Sequence, residues 1–515
     1  MSTGLRFIGS AFIATALGVT VASAQFATSA AGASGSTRAT PSVQRQSSPG
    51  SVATQQSTSG GGVQTINTEI QVSGDLSGSV RSADVPPGAI QLTLAEAVKR
   101  GIAANLGAVT AANSARLSHA RTIQARSSLM PNISVNASET VTQINLAAFG
   151  FKFNLPPGLN FSFPSVVGPF SYSQLQGNLS QSVYDPVQRH NLRAAREEEQ
   201  ASVLNVRDAR ELVVLAVAGA YLETLATSAR VESQRAQVAN AEAVSRQAEV
   251  RRAAGTNAKI DVMRTLVELQ TQQQRLNALE GDLHKEKIDL ARLIGLPLDR
   301  DIVLTEQMIA PNANPPEVLS ATSEALERRR DIMALEAQVR AAEQSVAAAR
   351  AERMPSVSLN GDYGVLGPNP ASAHGVFAIT GAVNIPVWQG GRVKGDVEEA
   401  ETILHQREAE LADQRGRVEQ EVRSALIDLQ TAITQVRLAD TNRGYAAETL
   451  QESRDRFSLG VTTSVEVVQA QEQVAGAESD YIASLFSYDV ARIALARAVG
   501  AAETTLPGLL KESGQ

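Results

Sequence analysis

Between Pro386 and Pro507 the chain carries no proline. Within that run Val418, Val422, Ala425, Leu429, Ala432, Val436 and Ala439 recur at alternating steps of four and three. This is the seven-residue period of a helix supercoiled left-handedly against its neighbours. It predicts one helix over 392–459, roughly 100 Å long at 1.5 Å per residue, several times the length of a globular helix. No compact core accommodates such an element, so the chain builds either a rod or a long wall.

The flanks decide between the two. Ahead of the helix the odd positions from Phe377 to Val387 read Phe, Ile, Gly, Val, Ile, Val, and the even ones include Ala378, Thr380 and Asn384. That alternation predicts a strand with one apolar and one polar face, spanning 376–388. It places Ile379, Val383, Ile385 and Val387 on the apolar side and Thr380 and Asn384 on the other. After the helix comes a break at Gly460-Val461-Thr462-Thr463-Ser464, then a second helical run over 464–499. The unit is strand, long helix, tight turn, returning helix.

The unit occurs twice. Tyr184-Asp185 matches Trp388-Gln389, Gly255 matches Gly460, Asp261 matches Glu466, Leu290-Ala291-Arg292 matches Leu495-Ala496-Arg497, and Gly295 matches Gly500. All stand about two hundred residues apart, which marks duplication of a whole supersecondary assembly. Met130-Pro131 and Met354-Pro355 head two further strands. The first repeat, 88–298, is read as a helix from the capping-box spacing Thr93-Leu94-Ala95-Glu96 to Leu129, strands 132–148 and 172–185, a long helix 187–254 and a return helix 258–294. An equatorial connection, 299–319, leads to the second repeat, 320–502, with a helix from Thr322 to Arg353 and strands 356–366 and 376–388. Residues 503–515 are a tail. All nineteen prolines are expected outside the helices, since a proline removes a helical hydrogen bond and clashes with the preceding turn.

The first 24 residues carry one basic residue, Arg6, an apolar run from Phe7 to Val21, and Ala22-Ser23-Ala24, the pattern of a cleavable secretory signal. Residues 25–87 are rich in Ser, Thr, Gly and Gln and read as a disordered leader, with a little order near Ile66 to Val72. No later apolar run reaches spanning length, but a secreted chain can still cross a membrane as a β-barrel. The insertion Phe149 to Ser171, with six phenylalanines and four prolines, suits an exposed loop or an aromatic membrane girdle. Four strands do not close a barrel, so other copies of the chain must complete it, as two, three or four copies.

The sequence offers no catalytic or cofactor chemistry. There is no cysteine, and His119, His190, His284, His374 and His405 are scattered without metal-ligand spacing. Gly390-Gly391-Arg392-Val393-Lys394-Gly395 lacks the ending of a phosphate-binding loop. A net charge of −7 argues against a nucleic-acid partner.

The stretch Ile385-Pro386-Val387-Trp388-Gln389-Gly390-Gly391-Arg392 resembles the strand-to-helix signature of TolC-like outer membrane efflux proteins. Arg456-Phe457-Ser458-Leu459-Gly460 with Glu466-Val467-Val468-Gln469-Ala470-Gln471 resembles that family's tip signature. The resemblance covers about Leu92 to Gly500. It implies a mixed α/β membrane protein: a homotrimer whose twelve strands form one barrel in outer-membrane lipid, continued into the periplasm by an α-helical coiled-coil barrel. It also implies a passive exit duct of a tripartite efflux pump or type I secretion system, no enzyme, with a periplasmic membrane-fusion adaptor and an inner-membrane transporter as partners. The candidate entrance residues are then Asp261, Glu466, Phe457, Thr462 and Gln469. The adaptor-contact tips are Gly255, Thr256, Leu459, Gly460 and Val461, and Pro386, Trp388, Gly390, Gly391 and Arg392 form the junction. Phe457 and Thr462 stand where the family can carry a tyrosine and an arginine that tie a closed tip. The alternative is a periplasmic adaptor or structural coiled-coil protein without a channel, which would show one hairpin in a small β-rich domain rather than two hairpins each preceded by strands.

Overall fold

The computed structural model describes residues 52–58, 66–81, 88–149, 165–256, 258–311, 317–459 and 461–505. The signal segment, most of the aromatic insertion, Gly460 and the end of the tail lie outside the described residues.

Four strands form one antiparallel sheet in the order β4 (Asn132–Asn145), β5 (Val166–Tyr184), β7 (Ser356–Gly367), β8 (His374–Asn384). The last strand is shorter than its sequence pattern: Ile385, Val387 and Trp388 follow it as exposed coil. From the sheet run two hairpins. One pairs α3 (Pro186–Ala253) with α4 (Lys259–Leu293), the other α7 (Arg392–Ser458) with α8 (Ser464–Ala498). At 1.5 Å per residue, the 68 residues of α3 and 67 of α7 place the turns about 100 Å from the sheet.

Among the described residues one proline does enter an α-helix. Pro186 opens α3, where its missing N–H is an orphan donor anyway, and the Asp185 carboxylate caps the turn by accepting from Gln188 N at 3.0 Å. The second junction uses Gly390 and Gly391, whose φ of +59° and +87° fall where side chains are disfavoured. Arg392 fixes that junction: its guanidinium meets Glu352 at 2.6 Å, Asp396 at 2.7 Å and the Gln389 side-chain carbonyl at 2.8 Å.

Two helices expected to be continuous are broken. The stretch from Thr93 to Leu129 divides into α1 (Leu94–Ala104) and α2 (Leu106–Ser127) at Asn105, whose backbone is extended. Asn105 caps α2 by accepting from Gly107 N at 2.8 Å and donates to Leu76 O at 2.7 Å. The stretch from Thr322 to Arg353 divides into α5 (Val318–Arg328) and α6 (Arg330–Ala351) at Arg329. Neither break contains proline or glycine; each rests beside a glycine at the end of a returning helix. A Cβ on Gly295 would lie 2.6 Å from Ala104 Cβ, and one on Gly500 3.1 Å from Arg329 Cγ.

The leader is also more ordered than its composition predicts. Strands β1 (Val52–Thr58) and β2 (Ile66–Val72) pair antiparallel. Leu76 is 3% exposed, packed with Leu92, Leu94 and Ile294, so its burial offsets the chain entropy that composition alone leaves unopposed. Alongside, β3 (Ile90–Leu92) pairs parallel with β6 (Ile302–Leu304), and Glu306 beyond β6 caps α1 by accepting from Leu94 N at 2.7 Å.

Two cores meet on α8. Ile482, Phe486, Val490 and Ile493 pack with α1, α3 and α4, while Leu485, Tyr488, Ala491 and Leu495 pack with α5 and α7. The apolar stretch of α3 that has the composition of a membrane span, Val213 to Ala226, is part of the first core. Protein burial therefore accounts for its hydropathy.

Asp489 lies between the two apolar faces of α8, 0% exposed, with no hydrogen bond to either carboxylate oxygen and Arg492 Nη1 at 3.7 Å. Burial pushes its carboxyl up from 3.8 to about 7, against a smaller pull from Arg492. A raised acid stabilises the fold fully below its unfolded value, and that contribution is lost as pH climbs through about 7. Asp489→Asn is therefore expected to gain about 2–4 kcal/mol at pH 8 and little at pH 4. Thermal unfolding followed by circular dichroism at the two pH values checks this; equal shifts at both would refute it.

Candidate functional site: sheet faces and helix tips

Side chains paired across an antiparallel ladder share a face, so the register sorts the sheet. Pairs Ile133–Leu179, Leu175–Val365, Tyr363–Phe377, Gly361–Ile379 and Val357–Val383 all fall on one side. Ser134–Asn178, Asn136–Gln176, Ser180–Asn360, Asn360–Thr380 and Ser358–Ala382 fall on the other. One face is mainly apolar across all four strands, interrupted by Glu139–Ser173 and Gln181, and the opposite face is mainly amide and hydroxyl. The apolar side chains are uncovered: Ile133 is 73% exposed, Phe377 74% and Ile379 73%. Among the described residues no strand lies beside the outer edge of β4 or β8.

At the far end, α3 gives way to a turn at Gly255, φ +76°, with Thr256 N donating back to Arg251 O at 2.9 Å. The other tip ends at Leu459, and Val461 N donates to Arg456 O at 3.0 Å. Leu459 and Val461 are exposed, Thr462 is half-buried and Gln469 exposed.

The two tips are tied to each other. Arg251 donates through Nη1 to Phe457 O and through Nη2 to Ser458 O, both at 2.9 Å, and its guanidinium lies 4.6 Å from the centre of the Phe457 ring. Those carbonyls are the unsatisfied end of α7, where cationic groups are favoured. Phe457 itself is 4% exposed, packed with Val244, Leu450, Val467 and Ala470. A second tie runs from Ser464 Oγ to Asp261 Oδ1 at 3.0 Å. Asp261 also meets Arg264 at 3.6 Å, whereas Glu466, its counterpart in the repeat, is exposed.

Sequence reasoning singled out Phe457 and Asp261 but neither partner. Arg251 carried a readable signal, a basic residue just before the αL glycine that ends a helix. Ser464 carried none. Phe457 is a buried anchor whose backbone carbonyl takes the polar contact, so the tie does not need a tyrosine hydroxyl.

The profile for outer membrane efflux proteins matches residues 103–296 and 321–501, one segment per repeat. The pyoverdine export outer membrane protein OpmQ of Pseudomonas putida is 26% identical over 323 residues, 60% of this chain and 67% of OpmQ. The outer membrane protein OprJ of Pseudomonas aeruginosa is 28% identical over 329 residues, 60% of this chain and 65% of OprJ. The alignments thus span about two thirds of these relatives' length. Among solved structures, the Campylobacter jejuni CmeC outer membrane channel superposes with a TM-score of 0.68 at 16% identity, over 87% of this chain and 95% of that one. A membrane protein from Pseudomonas aeruginosa gives 0.67 at 20% identity, over 83% and 92%. With both repeats matched and the fold shared, the chain belongs to the outer membrane efflux protein family.

Proposed function

We propose that three copies of this chain join their four-stranded sheets edge to edge into one twelve-stranded barrel, whose apolar face meets lipid and whose amide-and-hydroxyl face lines a water-filled pore. The chain is an outer-membrane efflux channel protein, not an enzyme, with its helices in the periplasm. The observation that carries the finer reading is the sorting of the sheet's faces together with its two open edges. In hydrocarbon each unpaired backbone group costs several kcal/mol, so an open four-stranded sheet requires completion. A periplasmic adaptor protein without a channel has no use for a sheet apolar on one side and uncovered. The helical hairpins of three copies then form the periplasmic tunnel, and the tips at Gly255 and Gly460 are the entrance and the adaptor contact. The inner-membrane transporter supplies the energy, and the duct is passive. The exposed Trp388 and Val387, at the end of the sheet where α7 begins, suit the periplasmic membrane interface.

The unheated, detergent-extracted protein is expected at three times the chain mass. Val383→Arg, on the lipid face, should cost roughly 2–4 kcal/mol of barrel stability while Thr380→Arg is tolerated. A folded monomer, or equal loss in the two variants, would overturn the assembly.

At the tip, the Arg251 tie holds the end of α3 to the end of α7 and keeps the entrance narrow. Arg251→Gln removes two charge-assisted bonds and is expected to raise the open population about tenfold or more, read as conductance of single channels in planar bilayers. Arg252→Gln, on an exposed neighbour, is the control, and a matching rise there would remove the tie from gating. Repeated three times, Asp261 and Glu466 would set six carboxylates around the entrance, a cation-favouring ring. Asp261→Asn combined with Glu466→Gln is then expected to lower cation preference in reversal-potential measurements, and unchanged selectivity would take both residues out of the pore.

A further inference from the structure

Far from both the pore lining and the tip, six charged side chains converge where the second repeat meets the first. Arg329, at the break between α5 and α6, is 3% exposed and donates to both oxygens of Asp331, at 3.1 and 2.6 Å. It also bonds Glu421 on α7. Arg497 on α8 donates to Asp208 at 2.5 Å and Glu211 at 3.1 Å, both on α3. The two halves adjoin, since Arg329 and Asp331 act electrostatically on both α3 carboxylates. Gly500 lies beneath them, where a Cβ would approach Arg329 Cα to 3.3 Å.

We propose that this cluster is a proton-operated joint between the two helical hairpins: Asp208 and Glu211 hold a proton between them while α3 is closed against α8, and its loss parts the hairpins at the equator. The charge count supports it. Four carboxylates (Asp208, Glu211, Asp331, Glu421) face two guanidiniums, so the fully ionised cluster carries two surplus negative charges. Glu421 is partly relieved by solvent, its side chain being 44% exposed. Asp331 is saturated, accepting from Arg329, Ile332 N at 3.0 Å and Gln414 Nε2 at 2.8 Å, and its carboxyl is held below the ordinary range. The shortfall therefore falls on Asp208 and Glu211, one helical turn apart and sharing the single guanidinium of Arg497.

The neighbouring charges do not change that balance. On α1, Glu96 and Arg100 pair with each other at 2.9 Å; on α5, Arg328 pairs with Glu324. Arg330 Nη1 rests 3.3 Å from the Met333 sulfur, and Arg207 and Arg210 on α3 and Glu503 on α9 (Ala502–Thr505) are exposed. Burial, opposed by Arg497, raises the carboxyls of both Asp208 and Glu211. Raised acids favour the closed contact fully at low pH, below the ordinary carboxylate values of 3.8 and 4.5, and that preference is lost as pH climbs through their raised values.

The chain has no cysteine, so paired spin labels at Asn205→Cys on α3 and Gln420→Cys on α7 report the joint directly, with labelled chain diluted into unlabelled protein. The separated population is expected to rise with pH, by up to tenfold per pH unit while the pair titrates. In Asp208→Asn with Glu211→Gln the distance should stay short and pH-independent. An unresponsive wild type, or a response retained in that variant, overturns the joint. Arg497→Gln should stay separated down to lower pH than the wild type, or fail to fold, and adding the two amide substitutions should restore a closed, folded protein. Failure of that rescue overturns the proposal as well.

Discussion

The proposed assembly depends on a four-stranded sheet whose outer edges have no partner strand among the described residues. In the proposed barrel, a strand edge in hydrocarbon has no water to accept its N–H groups or donate to its carbonyls, and among the described residues no strand covers the outer edge of β4 or β8. Because both faces are sorted by chemistry, the sheet does not escape by packing one side on a helix, the usual remedy in a soluble fold. The helices run away from the sheet instead, leaving it through the junctions at Asp185 and Gly391.

The long elements were legible because their signals are periodic. The heptad from Val418 to Val436 became a buried seam, each member except the flanking Ala439 lying in the core with α8. The alternation in β8 became a two-faced strand. Periodicity says nothing about where a helix stops when no proline or glycine stops it, and there the sequence reading failed. Asn105 and Arg329 look like unremarkable helical residues; each sits at a break where its side chain finds a polar partner, the Leu76 main-chain carbonyl in one case and the acid cluster in the other. The leader was misjudged for the same reason: composition averages over a window, and one leucine at position 76 finding a core outweighs it.

The tips show a similar division. Glycine positions and the acidic pair could be read from the duplication, but the contact that joins the hairpins runs from a side chain to main-chain carbonyls. Any residue type at 457 and 458 supplies a carbonyl, so nothing in that stretch advertises the acceptor. Phe457 was noticed for a hydroxyl it lacks, while its ring and backbone do the holding. Duplication likewise did not carry the two halves in step, since Asp261 is engaged by Ser464 and Glu466 is left to solvent.

The two strand-to-helix junctions differ in a way that bears on mechanics. The first hairpin leaves the sheet through Asp185 and Pro186, whose ring fixes φ and whose carboxylate cap closes the turn. The second leaves through two glycines with few steric limits on either torsion, stiffened mainly by one guanidinium reaching Glu352 and Asp396. The first is a clamped beam and the second a swivel with a strut. A pair of hairpins copied from one ancestor is thus joined to one sheet in two ways, once by a ring that fixes the backbone and once by a side chain that braces it.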